Sequence, residues 1–170
     1  SASFQCGFEF TGTIGKAVGV WSAGGNMITV RGGFGAAGLQ NAALAIGSWF
    51  PNKSQTEEYN GSAWSAGGAL IIARAAGASG GAMTSALLTG GYSSCRQTEL
   101  YDGTSWSETG DLIVGRYETA GDGTQNAFIM AGGTAPSNAS ASFTETFDGS
   151  TWSEVADLIT GRDQHGLAGT

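Results

Sequence analysis

Three short apolar runs punctuate a chain otherwise rich in Gly, Ser and Thr: "NAALAIG" (41–47), "SALLTGG" (85–91) and "NAFIMAGG" (126–133). Each is of strand length and bounded by glycine, the pattern of a buried strand. The third run sits within a unit that predicts four strands. "YETAGDG" (117–123) is strand A, followed by a turn at "TQN". "AFIMAGG" (127–133) is strand B, and the loop "TAPSNASA" follows it. "SFTETFDG" (142–149) is strand C and "TWSEVADL" (151–158) is strand D. Asn60, Asp102 and Asp148 each precede a glycine just ahead of strand D. Asn-Gly and Asp-Gly supply the positive φ angles of a tight hairpin turn, so a turn is expected at all three.

The same unit recurs along the chain. "YDGTSWSETGDLIVGR" (101–116) returns as "FDGSTWSEVADLITGR" (147–162), as "YNGSAWSAGGALIIAR" (59–74), and in part as "WSAGGNMITVR" (21–31). Trp to Arg is ten positions in every copy: Trp21 to Arg31, Trp64 to Arg74, Trp106 to Arg116, Trp152 to Arg162. Arg to the small-residue pair that opens at Gly47, Gly90 or Gly132 is sixteen in three copies, and Thr-Glu precedes Trp by eight in three, which places Glu57, Glu99 and Glu145 in phase. Only the interval between the Gly and the Thr-Glu pair varies, at 9, 8 and 12 residues. Variation confined to one segment marks a surface loop on a rigid frame. A period of 42 to 46 residues suits either propeller blades or paired-helix repeats.

Composition decides between these. Interior glycine costs a helix about 1 kcal/mol relative to alanine, and 30 of the 170 residues are Gly. Only 12% are charged, against about 25% in an average domain. Four short antiparallel strands per repeat is the radial design of a β-propeller, whose blades supply one another's buried faces. Gly and Ala on strands A and B suit its crowded centre, and aromatic residues on C and D its wider periphery. The net charge of −7 counts against a nucleic-acid partner. No apolar run approaches the roughly 20 residues that span a bilayer as a helix. Cys6 and Cys95 occupy non-equivalent repeat positions and match neither a metal-binding nor a disulfide spacing, which predicts two unpaired, mostly buried thiols.

The landmarks resemble the kelch repeat. Arg31, Arg74, Arg116 and Arg162 precede the first strand, Gly90-Gly91 and Gly132-Gly133 close the second, Tyr59 and Tyr101 lie on the third, and Trp21, Trp64, Trp106 and Trp152 on the fourth. Departures are Gly47-Ser48 for the Gly pair, Phe147 for the Tyr, and "TIGKAVGVW" (13–21) where strand C is expected. More narrowly, the wording resembles repetitive kelch-like proteins of bacteriophages, especially marine ones, and of environmental bacteria. The resemblance implies an all-β, kelch-type β-propeller. Residues 1–12 are then an N-terminal segment or the end of a preceding element. Residues 13–170 hold a C–D strand pair, three full blades and the start of another, a window on a longer chain.

That reading leaves little for an active site. Kelch propellers resembling galactose oxidase bind copper with two Tyr and two His, and this chain has one His, His165. "FDGSTW" echoes a sialidase turn but departs from it in the adjacency of Asp and Gly. Glu57, Glu99 and Glu145 recur at one position, so symmetry assigns them structural work, with Arg74, Arg116 or Arg162 or free backbone N–H groups as partners. No catalytic, cofactor or metal residue is expected. The loops at 48–55, 92–97 and 134–143 are the expected recognition surface. Trp49, Phe50, Lys53, Tyr92 and Arg96 are the side chains suited to contact, since aromatics and Arg dominate interface energetics. The resemblance implies a structural and recognition protein of a virion surface or tail. Its partners would be other virion proteins, or a host-surface receptor or glycan, with oligomerisation through the parent assembly. The alternatives are an extracellular carbohydrate-active protein with catalytic residues elsewhere and an intracellular adaptor.

Overall fold

The computed structural model describes residues 23–49, 53–92 and 95–169. The segments 1–12 and 13–22, with Cys6 and Trp21, lie outside the described residues, as does Phe50. Of Lys53 only the backbone is described.

Among the described residues, twelve strands form three four-stranded antiparallel sheets, and there is no helix. The first sheet is β1 (Gly35–Leu39), β2 (Ala42–Ser48), β3 (Lys53–Tyr59) and β4 (Trp64–Ala66). The second is β5 (Ala78–Ala82), β6 (Ser85–Thr89), β7 (Thr98–Tyr101) and β8 (Trp106–Glu108). The third is β9 (Ala120–Thr124), β10 (Ala127–Ala131), β11 (Thr144–Phe147) and β12 (Trp152–Glu154). Within each sheet, strand order in space follows order in the chain. The three opening strands lie side by side, β1 against β5 and β5 against β9. The arrangement is that of propeller-like blades, and the sheets are called blades below.

Successive residues of a strand point to opposite faces, and β6 uses both. Ala86 and Leu88 face the first blade, in a core with Leu44, Ile46, Leu70, Tyr101 and Trp106. Leu87 faces the third, in a core with Ala78, Leu112, Phe128, Met130, Phe147 and Trp152. A continuous apolar run is therefore a strand buried by neighbours on both sides. Ile129 holds the position of Leu44 and Leu87 in the last blade; it is 36% exposed, whereas they are 1% and 0%. Close approach at the centre explains the small residues there: a Cβ on Gly80 would come within 2.6 Å of the Phe128 ring.

Strand A starts later than expected and strand D ends earlier. Glu118, two residues after Arg116, has φ +53, which interrupts an extended chain, so β9 begins only at Ala120. The equivalent Gly33, Ala76 and Gln164 share that conformation, with φ between +48 and +59. Their backbones join the blades: Ala76 N–H donates to Gly33 O at 2.9 Å, Glu118 to Ala76 at 2.8 Å, and Gln164 to Glu118 at 3.0 Å. Strand D pairs over three residues only, and the chain then returns to strand C through isolated bonds such as Leu112 N–H to Arg96 O, 2.9 Å.

The hairpin turns also differ from expectation. Only the glycine takes positive φ, +95 at Gly103. The preceding acid instead caps a four-residue loop: Asp102 Oδ1 accepts the N–H groups of Thr104 and Ser105, both at 2.8 Å. Asn60 and Asp148 do the same. An Asx side chain mimics a backbone turn and removes the need for two positive φ angles.

Candidate recognition site on the loop face

Each blade anchors the base of its B–C loop with one buried ion pair. Arg31 pairs with Glu57, Arg74 with Glu99 at 3.0 Å, and Arg116 with Glu145 at 2.5 Å. The guanidinium also gathers carbonyls from both ends of the loop. Arg31 donates to Gly47 O and Gln55 O at 3.1 and 2.9 Å, and Arg74 to Leu88 O and Gln97 O at 3.2 and 3.0 Å. Arg116 donates to Gly132 O at 2.8 Å and Phe143 O at 3.5 Å. The glutamate completes the clamp by accepting backbone N–H groups from the incoming D–A connection: Ile28 and Thr29, Ile71 and Ile72, Ile113 and Val114. Burial opposes ionisation of Glu57, but the Arg31 hydrogen bond and the two backbone N–H groups outweigh it and hold its pKa below the ordinary value.

These contacts correct the expected pairing by one repeat. Each glutamate meets the Arg that opens its own blade, so Glu57 takes Arg31, and Arg162 has no such partner among the described residues and is exposed. The tryptophans Trp106 and Trp152 are buried, 6% and 7% exposed, and their indole N–H groups reach into the preceding blade at Thr56 Oγ1 and Thr98 Oγ1, 3.0 and 2.9 Å. Trp64, in the first full blade, is half-buried and donates to Gly25 O at 3.1 Å.

Above the clamps, the loops leave the frame at one repeated geometry. Trp49 N–H donates to Gly32 O at 2.8 Å, Tyr92 N–H to Ala75 O at 2.9 Å, and Thr134 N–H to Tyr117 O at 2.7 Å. The acceptor follows the repeated Arg in every case, so the B–C loops and D–A connections share one face. The side chains on this common backbone differ, and they form an arc. Trp49 and Tyr92 meet edge to face with centroids 4.8 Å apart, and Tyr92 and Tyr117 at 5.4 Å. Beyond Tyr117, Thr134 Oγ1 lies 3.4 Å from Glu118 Oε2 and 3.3 Å from Asp163 Oδ2. Ser140 Oγ donates to the same Asp163 oxygen at 3.0 Å.

Of the expected contact residues, the structure thus brings Trp49 and Tyr92 together. Arg96 lies apart from the arc contacts, its Nε donating to Leu112 O at 2.7 Å. Tyr117, Glu118, Thr134 and Asp163 were not singled out in the sequence. Their signal was available, because Tyr117 and Asp163 directly follow a repeated Arg at the position where Gly32 and Ala75 are small. The first loop is also shorter than expected: Ser48 ends β2 and residues 53–55 belong to β3, so the connection is 49–52 rather than 48–55.

His165 is half-buried against Gly132, with neither ring nitrogen hydrogen-bonded. Cys95 is a free, half-buried thiol that donates to Gln97 Oε1 at 2.8 Å. Among the described residues no group of three or more His, Cys, Asp or Glu is placed to hold a metal ion, and no helix is long and apolar enough to cross a membrane. No protein-family model and no curated protein matches the sequence.

Proposed function

We propose that the chain is part of a kelch-type β-propeller in which the loop face binds a partner and the blades carry no catalysis, and that it serves a virus particle at its surface or tail. The binding role rests on one observation. Trp49, Tyr92 and Thr134 stand at equivalent backbone positions, held by equivalent hydrogen bonds, yet present different chemistry. A fixed frame with variable side chains is how a scaffold acquires a specific surface. The Arg–Glu clamps make the variation tolerable, since they close the loop base whatever the loop contains. The wording of the repeat supports the particle setting, with other particle proteins, or a host-surface receptor or glycan, as partners.

Replacing residues 49–52 with a short Gly/Ser turn tests the reading. The melting temperature is expected to change little, while attachment of the particle to its host or of the chain to its neighbour is lost. Retained attachment after replacement of all three loops would leave the propeller only a scaffolding role.

A further inference from the structure

We infer that the arc accepts a cationic side chain, an Arg or Lys of a basic segment on a partner protein. The inference rests on the loop face being a recognition surface and adds what that surface recognises.

Three aromatic rings line the arc, with Tyr92 at its middle 49% exposed. The Trp49 and Tyr92 planes are inclined by 65° and those of Tyr92 and Tyr117 by 75°, so neighbouring ring faces stand nearly at right angles. The rings are inclined to one another rather than forming a flat shelf, and an aromatic face carries the negative quadrupole that attracts a cation, Tyr92 being the most exposed of the three. The arc ends in two carboxylates, Glu118 and Asp163, that approach the same Thr134 hydroxyl. They are therefore within reach of one guanidinium fork or one ammonium.

Among the described residues, the five arginines do not satisfy this end. Arg31 and Arg116 have fully buried side chains and Arg74 one 2% exposed, and all three are bound to their glutamates. Arg96 is tied to a backbone carbonyl, and the exposed Arg162 bonds Thr160 O at 3.4 Å. An anionic partner would meet like charge and the negative ring faces together. A neutral sugar could lie on the rings but would desolvate the carboxylates without compensating their charge. A cation uses both features. The net charge of −7 further favours encounter with a basic segment.

The test is binding of two fluorescent octapeptides to the full chain by anisotropy, one alternating Gly and Arg, the other with citrulline, the neutral isostere, in place of Arg. The Arg peptide is expected to bind about tenfold tighter, the value of one charge-assisted contact of roughly 1.4 kcal/mol. Tyr92→Ala should weaken it about three- to fivefold, and Tyr92→Phe should not. Glu118→Gln with Asp163→Asn should remove most of the preference for Arg over citrulline and flatten the salt dependence. Equal affinity for both peptides, binding of neither, or an affinity untouched by Tyr92→Ala overturns the inference. If loop replacement still abolishes attachment while the peptides are not distinguished, recognition stands and the cation falls.

Discussion

At the scale of single residues, the Arg–Glu clamp is the most consequential feature. Glu99 is fully buried and is surrounded by the Arg74 guanidinium and two backbone donors, so removing Arg74 leaves an uncompensated charge in the interior. Breaking such a pair costs about 3–5 kcal/mol. Arg74→Ala is expected to lose about that much in urea denaturation. Arg162→Ala, at the equivalent but exposed position, should cost under about 0.5 kcal/mol. Equal costs would contradict the clamp. The hairpin acids give the chain a pH dependence of their own. Backbone N–H groups of Ser105 and Thr104, with the Thr104 hydroxyl, hold Asp102 well below the usual carboxylate range, and Thr151 and Ser150 do the same for Asp148. In the unfolded chain these groups titrate near pH 4. Their contribution is therefore complete above about pH 4 and is lost as pH falls towards the folded values. Asn60 makes the same turn without a charge, so Asp102→Asn with Asp148→Asn should melt with a flatter profile below pH ~4 than the parent. An unchanged acid slope would sink that assignment.

At the scale of strands and loops, Trp106 joins two blades, because its ring lies against Tyr101 at 4.9 Å and its N–H reaches Thr56 and Gly68 of the preceding blade. Trp106→Ala is expected to cost about 3–5 kcal/mol. Trp64→Ala should cost distinctly less, since Trp64 is only half-buried; equal losses would contradict the inter-blade role. Much of this was legible in the sequence. The constant Trp-to-Arg interval fixed the blade, and the apolar runs of β2, β6 and β10 fixed the buried strands. Spacing alone could not say which Arg each Glu meets, because both recur with one period and any shift by a repeat fits equally well. Nor could it show that Ala76 and Glu118 take a left-handed conformation, since neither residue type advertises one. The glycines after Asn60, Asp102 and Asp148 marked the turns correctly, while the capping role of the acids depends on how four loop residues fold together.

At the scale of the whole molecule, the blades repeat one interface and differ in the side chains of the loop face, where we propose that a partner binds. The loop face was visible as the segment of variable length, yet its aromatic row was only half visible. Trp49 and Tyr92 lie in variable loops, whereas Tyr117 and Asp163 sit on a connection of constant length. The backbone bonds from Trp49, Tyr92 and Thr134 bring the two sets together. We propose that this arc recognises and the frame beneath it supports. The most direct measurement places melting temperature and attachment side by side for Tyr92→Ser with Tyr117→Ser. The account predicts a melting temperature close to the parent's and attachment reduced at least about tenfold, as for loss of central aromatic contacts. A parental level of attachment in a folded double variant would contradict it.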